Sequence, residues 1–148
     1  MSARELVEPY PYVTLDEHAA CALRLLSLHG LPALLVVDAD ARPYAVVPCA
    51  RLVGQFTAAY ATPTAAADGR TLDGGQGGVA GLTVAQWLPP DVLSAPTVEP
   101  EASVTEIAAV IARTNSPLVA VVERDGDQEW LAGAVTAARV IGQLAEGS

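Results

Sequence analysis

Apolar residues recur with helical spacing in two segments of the chain. In each segment they follow the i, i+3, i+4, i+7 pattern that places one apolar stripe on a helix. The first stripe consists of Ala19, Ala22, Leu23 and Leu26, and the second of Val104, Ile107, Ala108 and Ile111, 85 residues further along. Ser103 and Glu106 have the spacing of a capping box at the start of the second helix. Two stripes at one offset indicate a duplicated unit.

A run of aliphatic residues follows each predicted helix. These runs, residues 32–38 and 117–123, begin with Pro, end in an acidic residue and keep the offset of 85. They contain no polar position before that acid, which predicts a strand buried on both faces. Turn residues follow, and a second strand is predicted at residues 44–47 and at 130–135.

A repeated hexamer closes each copy. Residues 51–56 read RLVGQF and residues 139–144 read RVIGQL, and both predict a closing helix. The offset here is 88, so we expect three extra residues at the turn around Asp127, where a longer loop costs little. With short helical segments at 3–6 and 83–88, each copy reads as a leading helix followed by strand, helix, strand, strand and helix. The predicted fold class is α+β, of α/β type.

The chain divides into three predicted segments. Residues 1–56 form the first repeat, 57–81 an Ala- and Gly-rich flexible linker without periodicity, and 82–148 the second repeat. Within the linker, residues 75–80 have the letters of a dinucleotide-binding turn, but no strand is predicted before them. A unit of about 60 residues buries too little surface to be stable alone. We therefore expect the two copies to pack on each other.

Composition narrows the possible partners. The chain has 148 residues, 51% hydrophobic but only 5% aromatic, a net charge of −9 and no Lys. Such an acidic chain is a poor candidate for binding nucleic acid or an anionic membrane. It has no secretory signal and no apolar run of about 18 residues, so we expect a cytoplasmic protein without membrane insertion. Cys21 and Cys49 are too few for a zinc site or a disulfide framework, and no metal site is predicted.

A set of short motifs carries a family resemblance. The second repeat has TVEP at residues 97–100, PLVAVV at 117–122 and GAVT at 133–136, and the first repeat has looser counterparts at 12–15 and 45–48. Together with the tandem order of elements, these motifs resemble the CBS domain pair, or Bateman module, named after cystathionine β-synthase. The resemblance covers the chain apart from the linker. It implies two repeats packed with pseudo-two-fold symmetry.

The resemblance also implies two clefts that in many relatives hold adenosine nucleotides. There the adenine lies among apolar strand residues, a Ser or Thr at the end of the last strand contacts phosphate, and an Asp three residues later accepts the ribose hydroxyls. At the hydroxyl position this chain has Thr136 in the second repeat and Pro48 in the first. At the Asp position it has Arg139 and Arg51.

The replacement of Asp by Arg changes the chemistry of both clefts. A carboxylate only accepts hydrogen bonds and a guanidinium only donates them, so ordinary ribose recognition should be lost or rewired. Either the Arg side chains clamp an anion such as a phosphate, or they form structural ion pairs with a carboxylate of the other repeat or of a second subunit. Because Pro48 lacks a hydroxyl and a backbone donor, the cleft at Thr136 is the expected working site.

The apolar wall of that cleft is implied by the same resemblance. Val98, Val119 and Ala120 would line it with Thr97 at its mouth, although all three apolar residues are equally consistent with an ordinary strand core. The predicted ligand-binding residues are therefore Thr97, Val98, Val119, Ala120, Thr136, Arg139 and Arg51.

Two functional hypotheses follow. The first is a stand-alone regulatory module that binds an adenine nucleotide of the AMP, ADP or ATP type, or a similar anionic metabolite, and signals to an effector protein. The second is a homodimerising interaction protein whose clefts no longer bind. The resemblance implies a homodimer in both cases. No nucleophile and base have a catalytic spacing, so we do not expect an enzyme or any other cofactor.

Overall fold

The computed structural model describes residues 1–53, 81–89 and 94–146. The predicted linker, apart from residue 81, and its Gly-rich hexamer lie outside the described residues. The elements in chain order are α1 (Ala3–Leu6), β1 (Val13–Thr14), α2 (Ala19–His29), β2 (Ala33–Val37), β3 (Pro43–Pro48), α3 (described over residues 49–53), α4 (Val84–Trp87), β4 (Thr97–Val98), α5 (Val104–Thr114), β5 (Leu118–Asp125), β6 (Gln128–Thr136) and α6 (Ala137–Glu146).

The described strands form two three-stranded sheets of the same design. Their orders are β1-β2-β3 and β4-β5-β6, with the first pair parallel and the second antiparallel. Val13 pairs with Val36 as Val98 pairs with Val121, which preserves the offset of 85. All of β2 and the first five residues of β5 are buried, as expected for strands covered on both faces. The predicted α+β tandem fold is confirmed.

The β2-β3 hairpin and the β5-β6 hairpin differ only at the ends where a turn joins their strands. Ala33 opposes Pro48 and Leu118 opposes Thr136, and each hairpin has a bulge at the same point, between residues 36 and 37 and between 121 and 122. The turn prediction needs one correction. The three extra residues lengthen the paired strands β5 and β6, which join across a tight turn at Gly126, whose φ is +63°. As part of the strands, the added residues form hydrogen bonds between β5 and β6, which residues in a longer loop would not form.

The central helices end alike. Gly30 and Asn115, 85 residues apart, both adopt the left-handed conformation that stops a helix, with φ of 59° and 53°. At the start of α5, the Ser103 side chain accepts a hydrogen bond from the Glu106 N–H at 3.1 Å, as its spacing predicted. The second helix is therefore positioned at both ends by local signals.

The leading helices are exchanged between the repeats. In α1, the Ala3 N–H donates to the Ala102 carbonyl at 2.8 Å, and both Ala3 and Leu6 are buried in the second repeat's core. In α4, the Val84 N–H donates to the Glu17 carbonyl at 2.8 Å, and Val84 joins the first repeat's core together with Trp87 and Leu88. The order of elements in the sequence predicts that each leading helix belongs to the repeat that follows it. In the structure, each hydrophobic core instead contains the leading helix that precedes the other repeat.

Small residues bring the two sheets together. Ala33 of β2, Leu118 of β5 and Ala134 of β6 form a buried cluster, with Tyr10 and Val46 packed against it. Since two of the three are Ala, the backbones approach closely at this seam.

Gly133 marks the closest backbone approach. Its φ is +153°, and a β-carbon built at this position would overlap the Glu8 carbonyl and lie 2.8 Å from Cγ2 of Val7. Both the conformation and the space require glycine. The crossing of residues 7 and 8 over β6 therefore depends on this one position.

We expect Gly133→Ala to lower the free energy of unfolding by about 2 kcal/mol or more, because the β-carbon must displace the crossing backbone. Urea denaturation followed by circular dichroism measures the change. Gly142→Ala is the matched control: it lies in α6 with no atom within 4 Å of the added carbon, and it should stabilise by up to about 1 kcal/mol. Equal stability of the Gly133→Ala variant and the wild type would contradict the argument.

Candidate functional site

A cleft of about 450 Å³ lies between the two repeats, and we call it the first cleft. The first repeat contributes the end of β3 and the start of α3, including Pro48 and Arg51. The second repeat contributes the segment before β4, at Ser94 and Pro96, and the turn that ends α5, at residues 113–116. The cleft therefore exists only when both repeats are folded against each other.

Two guanidinium groups from different repeats line the first cleft. Arg51 lies on the first described turns of α3, whose start is held by a hydrogen bond from the Cys49 N–H to the Pro32 carbonyl at 3.1 Å. Arg113 lies in the last turn of α5, and the left-handed Asn115 turns the chain back beside it. The first cleft therefore brings one guanidinium group from each repeat to one place.

The remainder of the lining combines hydroxyl groups with apolar surface. Ser94 is exposed at the cleft, whereas the Ser116 hydroxyl donates to the Leu118 carbonyl at 2.6 Å. Val46, Pro48 and Pro96 supply apolar surface. A ligand with an anionic group and a flat apolar part matches this combination.

The second repeat has Thr136 and Arg139 at the equivalent positions. Thr136 accepts a hydrogen bond from the Arg139 N–H at 3.3 Å and so caps α6. A guanidinium nitrogen of Arg139 lies 3.1 Å from a carboxylate oxygen of Glu8, with the two side chains 43% and 48% exposed. Glu8 belongs to the segment that leads into the first repeat. Arg139 thus forms an ion pair with the other repeat, one of the two alternatives considered for it.

The other predicted residues lie elsewhere. Thr97 and Val98 line a separate cavity of about 730 Å³ that is rich in glutamates and does not include Thr136 or Arg139. Val98 and Val119 pack in the second repeat's core, and Ala120 is fully buried, its N–H donating to the Pro96 carbonyl at 2.9 Å. Val98, Val119 and Ala120 are therefore core residues, which is one of the two roles considered for them. The β4-β5-β6 sheet brings Thr97 beside Ala120 and Thr136 next to the partner of Val119, whereas Arg51 lines the first cleft.

Sequence reasoning missed Arg113, Ser94 and Glu8. The turn at Asn115 could have been predicted, because Asn115 stands 85 residues after Gly30 at a predicted helix end. Asn tolerates the left-handed conformation that such a turn requires. No sequence signal marks Arg113 or Glu8, since their partners come from the other repeat.

Comparison with solved structures identifies the family. A CBS domain-containing protein from Kribbella flavida DSM 17836 is 31% identical, with 98% of each chain covered and a TM-score of 0.77. The chain therefore belongs to the CBS domain family, as a tandem CBS domain pair. A scan of protein-family models gives no match, and a search of curated proteins finds no relative.

Two solved structures at lower identity share the fold. CBSX2 in complex with AMP is 18% identical, with 98% of this chain and 96% of that chain covered and a TM-score of 0.66. The CBS domain of the bacterial CNNM/CorC family Mg²⁺ transporter in complex with ATP is 16% identical, with 98% and 87% covered and a TM-score of 0.69. Both are CBS domains with a bound adenine nucleotide.

The described part of the chain also limits other kinds of site. Within residues 1–53, 81–89 and 94–146, no helix combines the length and apolar character needed to cross a bilayer. The same residues contain no group of three or more His, Cys, Asp or Glu side chains arranged to hold a metal ion.

Tyr10 lies at the seam beside Ala33. Its hydroxyl donates to the Ala33 carbonyl at 2.7 Å, and burial raises its pKa from 10.0 to about 12. Burial also raises the pKa of the Cys49 thiol, which donates to the Leu31 carbonyl at 3.0 Å. Tyr10 packs against the seam between the repeats, whereas the Cys49 thiol is bonded within the first repeat.

Tyr10 predicts a pH dependence. Its pKa is higher in the folded state than in the unfolded chain, so its contribution is complete below about pH 10 and is lost as the pH rises to about 12. Tyr10→Phe should cost about 1 kcal/mol at pH 7 and flatten the alkaline loss of stability, measured by urea denaturation across pH 7 to 11.5. Tyr44→Phe, whose ring is 43% exposed, is the control and should keep the wild-type profile. An unchanged profile in Tyr10→Phe would contradict this assignment.

Proposed function

We propose that this CBS domain pair is a regulatory module whose ligand, an adenine nucleotide or a similar anionic metabolite, binds in the first cleft. The observation that carries the proposal is the convergence of Arg51 and Arg113, one from each repeat, on a cleft with an apolar floor. A guanidinium presents a rigid fork of donors that matches phosphate oxygens in a bidentate way. The apolar floor offers a surface for a base.

Ligand binding at this place would report on the arrangement of the repeats. An anion held by Arg51 and Arg113 together contacts α3 of the first repeat and α5 of the second. Its binding free energy then depends on how the two repeats sit against each other. The proposed output is a change passed to an effector protein in the cytoplasm, with no turnover of the ligand.

The choice of cleft differs from the expectation based on Thr136. That expectation rested on the hydroxyl at residue 136 and on its absence at Pro48. In the structure, the Thr136 oxygen accepts the Arg139 N–H, and Arg139 pairs with Glu8. Because the first cleft brings one guanidinium group from each repeat beside apolar surface, we favour it for an anionic ligand.

Isothermal titration calorimetry with ATP, ADP and AMP tests the binding role. Arg51→Ala and Arg113→Ala should each weaken binding about 10- to 100-fold, the effect of losing a charge-assisted hydrogen bond. Arg24→Ala is the matched control, because Arg24 is an exposed arginine of α2 outside the first cleft, and it should bind like the wild type.

Absence of binding for all three nucleotides at millimolar concentration would reject the proposal. If the protein then still dimerised, the alternative of an interaction protein with non-binding clefts would be favoured. Equal weakening by Arg24→Ala would mean that net charge, and not the cleft, governs affinity.

We also propose that two chains associate through their closing helices. Val53 and Ile141, 88 residues apart and at equivalent positions of α3 and α6, are each 64% exposed, and Leu144 is 47% exposed. Apolar side chains at matching positions of both repeats suit a symmetric contact between copies.

Sedimentation equilibrium should therefore give twice the chain mass of 15.2 kDa. Ile141→Asp should shift the protein toward the monomer, because a carboxylate at a buried contact has no compensating partner. Leu28→Asp serves as the control, since Leu28 is 75% exposed and lies on α2, which is not a closing helix. A wild-type protein that sediments only as a monomer would contradict this part of the proposal.

A further inference from the structure

The hairpin of the second repeat extends further than that of the first. β5 and β6 pair as far as Asp125 and Gln128, whereas β2 and β3 pair only as far as Val37 and Pro43. The added part, residues 123–130, reads ERDGDQEW, and we call it the projecting hairpin. None of its residues belongs to a hydrophobic core cluster of the described chain. Packing of the cores therefore gives no reason for its length.

The strand β6 leaves one edge of its sheet open along the projecting hairpin. β6 is the last strand in its sheet, and among the described residues only Glu8 pairs with its outer side, through the bridge to Ala134. The equivalent strand β3 begins and ends with Pro and is bridged along its edge by Ser94. Proline protects an edge from further pairing. Residues 128–132 of β6 contain no Pro, so backbone groups of this edge strand are available to an added strand.

An exposed tryptophan lies on the open part of β6. Trp130 is 41% exposed and stands opposite Glu123, whose carboxylate lies 3.5 Å from the guanidinium of Arg4 on α1. Large aromatic side chains are scarce in this chain, which has two Trp and one Phe. Tryptophan is the residue type most enriched among the anchors of protein interfaces. The edge therefore combines open backbone with one anchor side chain.

The charge of the projecting hairpin determines which partner fits. It has four acidic residues and one Arg, and that side chain, Arg124, already lies 3.6 Å from Glu129. Neither Asp125 nor Asp127 forms an ion pair within the part of the chain that the structure describes. A second copy of the chain would place the same acids against these, and like charges across a strand pair are unfavourable. A segment rich in Lys or Arg is complementary.

We propose that the projecting hairpin is a docking edge for an extended, basic segment of another protein, which adds a strand beside residues 128–132 and covers Trp130. Backbone hydrogen bonds give such strand addition its affinity, and alternate side chains of the added strand give its specificity. The inference names a surface for an effector protein and does not depend on a ligand in the first cleft.

Fluorescence anisotropy with a labelled eight-residue peptide of alternating Lys and Val, without nucleotide, tests the docking edge on the full chain. The peptide should bind, and Trp130→Ala should weaken binding about 10- to 30-fold, the usual loss for a tryptophan anchor. A peptide of alternating Glu and Val should not bind. Methylation of the backbone nitrogens of the Lys peptide keeps its charge and removes its backbone donors, and it should abolish binding.

Tyr44→Ala is the matched control. Tyr44 is 43% exposed, close to the value for Trp130, and lies on β3, whose edge Ser94 already bridges. This variant should bind the Lys peptide like the wild type. Circular dichroism should show the wild-type fold for both variants, since neither side chain belongs to a core cluster.

Amide chemical shifts of the labelled protein locate the bound peptide, and the largest changes should fall on residues 123–132. No binding of the Lys peptide, equal binding by Trp130→Ala, undiminished binding of the methylated peptide, or shifts spread over the acidic surface would each overturn the inference. A dimer that Trp130→Ala dissociates and Ile141→Asp does not would mean that a second copy occupies the edge, and would also overturn it. Since no nucleotide is present, each of these results leaves the proposed function of the first cleft to its own test.

Discussion

The exchange of leading helices is the constraint on which the remaining structure depends. α1 covers the second repeat and α4 covers the first, so each hydrophobic core includes residues from both copies. A unit of about 60 residues buries too little apolar surface to fold alone, and the exchange solves this by making the two cores interdependent. The same exchange carries the segment after α1 across β6. It thereby brings Glu8 to Arg139.

The seam between the sheets and the first cleft follow from that arrangement. Ala33, Leu118 and Ala134 bring the sheets together, and the first cleft lies where α3 of one repeat meets the end of α5 of the other. Its charged residues belong to helix ends, which are positioned by backbone hydrogen bonds and by the left-handed turn at Asn115. The backbone at Arg51 and Arg113 is thus held by rigid elements, while the two guanidinium groups lie at the surface.

Duplication left an arginine at equivalent positions of the two closing helices, with different neighbours. Arg51 and Arg139 occupy equivalent helix positions, yet the first shares its cleft with Arg113 and the second pairs with Glu8. An acidic chain with a net charge of −9 repels anions over most of its surface.

The sequence by itself determined the duplication, the order of elements in each repeat and most of the strand registers. These depend on local periodicity, β-branched runs and turn residues, which act over a few positions and recur at offsets of 85 and 88. Only the tertiary structure decided that the leading helices are exchanged, that Arg113 lines the first cleft beside Arg51, and that Glu8 pairs with Arg139. Those placements depend on contacts between residues far apart in the chain, and a pattern read along one segment contains no information about which distant segment packs against it.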